Sequence, residues 1–387
     1  MNSLLLRGCT IAVVAVALAA CNANGGSSLP GAISQTSTAR SNGPSRSPDA
    51  KAVAGCQGSR VGRAQCDVLV RVGAGPNIPG LSPAKLQSAY NLTAASLSYG
   101  TGQVVAVVDA YDNPNVASDL AFYRSYFGLP TANFTKYNQL GQTSNYPSGN
   151  AGWGVEIDLD VEMVSASCPN CTIYLVEANS NGWSDLQTAE AEAVTLGATI
   201  ITNSYSGSGA NHNFFDTPNK TYLASAGDTG YGIADPADFK TVVSVGGTTL
   251  SPGPAPRHWT ETIWNGSGAG CSTDPKPSWQ TDPGCTHRTA NDVSADANPN
   301  TGVSEYDSYT YGGWLITWIR QGIEIFFQSN PTLACAYRSK TLRERKRGGL
   351  PAKGQRLMPL KQWFDGASQT CPIFNLAGDG TFSDFPG

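Results

Sequence analysis

An α/β fold built on a doubly wound, mainly parallel sheet flanked by helices is what the sequence predicts, and three observations carry that prediction. Residues 103–109 (QVVAVVD) form an unbroken apolar run ending in an acid, the pattern of a strand buried on both faces. Shorter apolar runs at 172–176, 200–202, 222–224 and 241–245 alternate with segments of helical period at 116–127, 153–166 and 185–196, with a further strand expected at 134–137. Asp109, Asn203-Ser204-Tyr205 and Gly227-Asp228 all fall at strand ends, where the loops of such a sheet form its cleft. A chain of 387 residues holds one large domain of this kind plus extensions.

The chain opens with Arg7, the apolar run 11–20 and then Cys21. A basic start, a short apolar core and small residues before a cut form an export signal over residues 1–20, too short to span a bilayer comfortably. Leu18-Ala19-Ala20-Cys21 resembles a bacterial lipobox, which makes Cys21 the lipidated first residue of the mature protein; a plainly cleaved signal is the alternative. Either way the protein is expected outside the cytoplasm, secreted or held at the cell envelope by its lipid, as a monomer. Only 14% of residues are charged, glycines number 43 and the net charge is −4, which suits a loop-rich exported protein and argues against nucleic acid as a partner.

Residues 22–80 are expected to be a flexible tether and a short pro-segment, with order beginning at Leu81 and Ser82-Pro83 opening a helix. Close cysteine pairs at Cys56/Cys66, Cys168/Cys171 and Cys271/Cys285 predict local disulfides in an oxidising compartment. Cys168 and Cys171 have no second CxxC or CxxH to complete a zinc site, and no metal site is identifiable.

The helix at 153–166 (WGVEIDLDVEMVSA) is the chemical focus. At 100° per residue, Val155, Leu159, Met163 and Ala166 form one apolar arc and Ile157, Val161 and Val164 another. Glu156 and Asp160 stack four residues apart between the arcs, whereas Asp158 and Glu162 share the remaining face with Ser165 and are expected to be solvated. Two like charges roughly 6 Å apart at a cleft floor repel and raise at least one pKa, which suits acid–base work; an acid-rich solvent face is the alternative. His212, His258 and His287 lie in no recognisable catalytic context, so a Ser-His-Asp triad is not supported.

Glu156-x-x-x-Asp160 behind Trp153-Gly resembles the catalytic helix of the sedolisins, the serine-carboxyl peptidases. Segments 82–92, 102–114, 224–232, 242–250, 259–272, 276–285 and 290–315 also resemble that family, in order, so the resemblance covers 81–315. It implies a subtilisin-like fold and a protein or peptide substrate cleaved at acidic pH. Glu156 would then be the general base, Asp160 its orienting partner and Asp228 the oxyanion stabiliser. Residues 203–207, including Asn203, Ser204 and Tyr205, resemble the edge that pairs with a peptide's backbone, with Ser206 where the family usually has glycine. Asp109 sits where histidine-using subtilisins keep their acid, and without that histidine is taken as an ordinary strand-end acid. The resemblance also implies Ca2+, but its loop is not recognisable, and Asp365, Asp379 and Asp384 are taken as loop acids. The stretch between Cys21 and Leu81 is short beside the family's long inhibitory pro-region.

The departure comes after Leu315. The family continues into Gly-Thr-Ser-x-x-x-Pro, whose serine is the nucleophile; here the chain runs on as ITWIRQGIEIFFQ and Gly-Thr-Ser occurs nowhere. Ten of the 25 Lys and Arg residues lie between Arg320 and Lys361, against Glu324 and Glu344 alone. A basic appendage and a stretch read out of its ancestral frame are the two explanations, and the coincidence of the break with the compositional switch favours the second. Residues 316–387 are accordingly expected to be aberrant, leaving the sheet incomplete at its C-terminal side. The expectation is a serine-type endopeptidase lineage whose present chain is weakly active or inactive, or else a peptide-binding pseudopeptidase.

Overall fold

The computed structural model describes residues 53–56, 62–71, 80–255, 258–278, 280 and 285–317. The export signal, Cys21, the tether, the basic region and Asp365, Asp379 and Asp384 lie outside the described residues.

Order starts before Leu81. Three short strands precede it, β1 (Val53–Ala54), β2 (Gln65–Cys66) and β3 (Leu69–Val70), and β1 pairs antiparallel with β3. The low-complexity tether hides them because each is only two residues long and is held by tertiary pairing rather than by local pattern. Then come α1 (Pro83–Ala89), capped by the Ser82 side chain, α2 (Thr93–Ser98), β4 (Val104–Ala110), α3 (Val116–Tyr126) and β5 (Asn133–Asn138). The alternation continues through α4 (Ala151–Ser167), β6 (Thr172–Ala178), α5 (Trp183–Thr195), β7 (Ile200–Asn203), β8 (Tyr205–Ser206) and β9 (Thr221–Ser225). From β10 (Val242–Pro252) onward the described chain is all strand: β11 (Trp259–Ile263), β12 (Cys271–Pro275), β13 (His287–Thr289), β14 (Val293–Asp296), β15 (Val303–Asp307) and β16 (Gly313–Thr317).

Seven strands form the parallel core of the sheet, in the order β5-β6-β4-β7-β9-β10-β14, and β11 adds antiparallel to the far half of β10. The connection after β4 runs outward to β5, whereas that after β6 jumps back past β4 to β7. This reversal opens a crevice at the carboxyl ends of β4 and β7. Six of the seven residues of β4 are valine or alanine, and all but Val104 are buried, as expected of a central strand. At the β10–β14 seam, Arg288 is fully buried; its Nη2 lies 2.5 Å from Asp292 Oδ2, which also accepts the Ser244 amide at 2.9 Å.

The helix α4 packs on β4 and β6, on α1 and α3, and on β15. All fifteen of its residues from Trp153 to Ser167 are buried. The hairpin of β15 and β16 closes its outer side, with Tyr306 and Trp314 stacked on Phe122 of α3 at centroid distances of 4.2 and 6.0 Å. Asp158 and Glu162 are therefore not solvated, because that cover removes the outer face on which helical periodicity placed them. Asn113 Nδ2 donates to Asp158 at 2.7 Å, and the Tyr306 amide donates to Glu162 at 3.0 Å. All three predicted disulfides are formed, Cys56–Cys66, Cys168–Cys171 and Cys271–Cys285.

The entry of α4 is set by Asn150, whose side-chain oxygen accepts from the amides of Gly152 at 3.0 Å and Trp153 at 3.1 Å. Replacing a capping asparagine by alanine leaves those donors unpaired, at a cost of about 1 kcal/mol. Asn150→Ala is thus expected to lower the urea midpoint by that equivalent, whereas Thr143→Ala, at an exposed loop position, should leave it unchanged.

Candidate active site

Glu156 and Asp160 point from α4 toward the crevice at the carboxyl ends of β4 and β7, and both are buried. Ser204, the residue after β7, donates its hydroxyl to Asp160 Oδ1 at 2.6 Å. Asp109 at the end of β4 is wholly buried, and neither of its carboxyl oxygens has a hydrogen-bond partner. Asp67, between β2 and β3, accepts from Ser206 at 2.9 Å and from Ser225, and its own amide donates to the Ser204 carbonyl at 3.0 Å. Strand ends, one helix and the N-terminal segment thus bring four carboxyl groups into one electrostatic unit.

Their protonation follows from that packing. Burial pushes Asp160 up to about 7; the Ser204 hydrogen bond pulls it down and the Asp67 charge raises it. Burial likewise lifts Glu156 well above the usual carboxylate range, with Asp160, Asp109 and Asp67 adding repulsion in that order. Asp109 is raised by burial, then by Asp160 and Glu177. Next to Glu177, Lys136 lies 2.5 Å from Asp112 and 3.7 Å from Glu177. Carboxyls so placed share protons instead of all ionising, which equips Glu156 to take a proton from a hydroxyl and return it.

Asp228 stands just beyond β9, in a turn that needs the positive φ of Gly227 (94°). Gly268 donates to the Gly227 carbonyl at 2.6 Å, and a Cβ on Gly268 would lie 1.8 Å from the Ala226 oxygen, so this loop is held by direct backbone contact. Asn203 and Tyr205 use their side chains internally: Asn203 donates to the Leu223 carbonyl at 3.1 Å, and the Tyr205 hydroxyl lies 2.7 Å from Asn203 Oδ1. Just beyond β7, the backbone of Tyr205 and Ser206 is paired antiparallel with Cys66 and Gln65 of β2. All three histidines are exposed and none belongs to the acid group.

No family model matches the sequence. Sedolisin from Pseudomonas sp. (strain 101) is 25% identical over 275 residues, which is 59% of this chain and 46% of that protein, so the chain spans about half the length of the curated relative it matches. The solved structure of Pseudomonas sedolisin, a serine-carboxyl proteinase complexed with two molecules of pseudo-iodotyrostatin, aligns with a TM-score of 0.56 at 24% identity, covering 75% of this chain and 86% of that one. By sequence the chain is similar to sedolisin, and its fold is subtilisin-like. The strand order found here is that of a subtilisin-like sheet, as the resemblance implied.

Two features of this sedolisin-like chain were not legible in its sequence. Asp109, taken as an ordinary strand-end acid, is electrostatically joined to Glu156 and Asp160; its position in an apolar run before a helix signals burial but not which acids face it. Asp67 carries no local signal at all. On the other side of α4, Asp158, Glu305 and Asp307 bring carboxylate oxygens within 4.8 Å of one another, all buried. Asp158 Oδ1, both Glu305 oxygens and Asp307 Oδ2 have no hydrogen-bond partner there.

Carboxyls held protonated in the fold but released on unfolding make stability pH-dependent. Asp160 and Asp238 are pushed up to about 7, Glu190 to about 8 and Glu177 to about 9, against about 4 in an unfolded chain. The folded state therefore binds more protons between those values, and stability present below pH about 4 is lost as pH rises toward 9. The melting temperature should fall by at least about 5 °C between pH 4.5 and pH 8. A flat or rising profile in differential scanning calorimetry would contradict this assignment.

Proposed function

We propose that the protein is a peptidase-lineage chain that keeps the acid–base half of a serine-carboxyl site and a peptide-binding edge, and that it hydrolyses peptide bonds weakly or not at all. The observation that supports this reading most is the buried Glu156–Asp160 pair at the sheet's reversal point, with the Ser204 hydroxyl on Asp160. In this reading Glu156 is the general base, Asp160 orients it and exchanges its proton, and Asp228 in protonated form donates to an oxyanion. Acidic pH favours both protonated partners. A polypeptide in extended form would add as a strand to the backbone of Asn203, Ser204, Tyr205 and Ser206.

The serine these groups would activate is what the sequence lacks, since Gly-Thr-Ser does not occur in it. Losing a nucleophile costs several orders of magnitude in turnover even when the other groups remain. Calcium, if bound, would be held by Asp158, Glu305 and Asp307, whose hard oxygen donors suit it, and would supply positive charge between α4 and β15. Export through residues 1–20, with Cys21 as lipid anchor, would deliver the protein to extracytoplasmic protein or peptide partners.

The purified full chain at pH about 4 should show no serine labelled by a fluorophosphonate and no release from a quenched denatured-protein substrate above background. Covalent labelling at a serine with turnover would overturn the inactive assignment. Translation of the other reading frames from codon 316 separates the origins: Gly-Thr-Ser-x-x-x-Pro followed by an apolar helix identifies a shifted frame, and its absence from every frame identifies a divergent pseudopeptidase.

A further inference from the structure

The outer side of α4 holds a second set of acids that the acid–base chemistry does not use. Asp158 and Glu162 on α4, Asp119 on α3 and Glu305 and Asp307 on β15 are all buried. Among the described residues no lysine or arginine forms an ion pair with any of them. Arg124, also on α3, directs its guanidinium to the Pro130 and Pro169 carbonyls and the Ser165 hydroxyl.

Donors fix one oxygen of four of these acids. Asp158 Oδ2 accepts from Asn113 Nδ2 at 2.7 Å and Glu162 Oε2 from the Tyr306 amide at 3.0 Å. Asp307 Oδ1 accepts from the amides of Thr310 at 2.6 Å and Tyr311 at 3.2 Å, and Asp119 Oδ2 from the Ser308 amide at 2.9 Å and hydroxyl at 3.0 Å. Such donors hold a carboxylate in place and favour its ionised form. The other oxygens of Asp158, Glu162 and Asp307 accept nothing. Glu305 goes further: it is wholly buried, neither of its oxygens has a hydrogen-bond partner, and the buried Thr317 hydroxyl faces it without completing a bond. Oxygens of Asp158, Glu305 and Asp307 converge within 4.8 Å of one another. The hairpin that carries Glu305 and Asp307 is a two-stranded sheet apart from the main one, so the central ladder does not hold it.

We propose that Asp158, Glu305 and Asp307 bind one calcium ion that pins the β15–β16 hairpin onto α4. This role rests on the calcium assignment made above and not on the peptidase reading of Glu156 and Asp160. The ligands belong to a helix and a hairpin rather than to the loop that the family resemblance implies. Four free oxygens on three carboxylates, two of them side by side on Glu305, suit an ion that tolerates irregular oxygen coordination and leaves its other positions to water or carbonyls; the octahedral demand of Mg2+ suits them less. Three carboxylates meeting without a cation repel one another, so the ion turns repulsion between helix and hairpin into shared attraction.

The test compares the full chain with Glu305→Gln and Asp158→Asn at neutral pH, in EDTA and in about 10 mM Ca2+ or Mg2+. Ca2+ should raise the melting temperature of the unaltered chain by at least about 5 °C, as a ligand about a hundredfold above its dissociation constant does, and Mg2+ by less than about half of that. Both variants should lose the response. Each removes one of three crowded charges, so each should melt in EDTA no lower than the unaltered chain, which separates a lost site from a lost fold. Amide exchange in residues 303–307 and 313–317 should slow at least about tenfold with Ca2+ in the unaltered chain and in neither variant. No response of the unaltered chain, or an equal response of both variants, overturns the site. A melting shift without slower hairpin exchange overturns the pinning, and a larger shift with Mg2+ overturns the choice of calcium. None of these measurements uses a peptide or a serine probe, so their failure leaves the peptidase reading standing and its failure leaves them intact.

Discussion

A helix with no solvent face must place every side chain it carries against protein, and α4 carries four carboxyl groups. Burying an isolated carboxylate is so unfavourable that the group instead keeps its proton or finds a donor. The surroundings of α4 divide these two solutions between its sides. Toward the sheet's reversal point, Asp160 receives the Ser204 hydroxyl while Glu156 faces Asp160 and Asp109. On the covered outer side, Asp158 and Glu162 receive Asn113 Nδ2 and the Tyr306 amide, with Glu305 and Asp307 close by. The positions of β4, β7 and the β15–β16 hairpin determine which acids meet, and hence where acid–base chemistry can reside.

The topology explains why one side of α4 borders the sheet's reversal point and the other is covered. Glu156 and Asp160 lie at the carboxyl ends of strands whose connections diverge, where a crevice is unavoidable. Asp158 and Glu162 lie under a hairpin stacked on the aromatic face of α3, which closes them off. Beside the crevice β8 continues from β7 as a short edge that needs a strand partner for its backbone. Here that partner belongs to the same chain, and it brings a further acid, Asp67, into the group.

Much of this was legible from residues alone, in proportion to how local its cause is. The run of β4 declares a buried strand through composition, and Ser82 and the cysteine pairs declare a cap and disulfides through spacing. Helical periodicity separated Glu156 and Asp160 from Asp158 and Glu162, because the two apolar arcs flank only the first pair. It failed on the second pair because the cover over them comes from residues 303–317, far along the chain and adjoining the compositional break. Strands of two residues, such as β2, leave no periodic trace, so the occupant of the edge could be found only in three dimensions. The role of Asp109 depends likewise on the register of β4 against α4, which sequence does not encode locally.

The central claim is that Glu156 and Asp160 form a buried, proton-sharing pair. Site-resolved 13C NMR of their side-chain carboxyls across pH 3–9 measures this directly. The account predicts that Asp160 titrates near 7 and that Glu156 is held above the usual carboxylate range, their transitions interdependent so that Asp160→Asn lowers the Glu156 midpoint. Two independent titrations near pH 4, unchanged by that substitution, would contradict it.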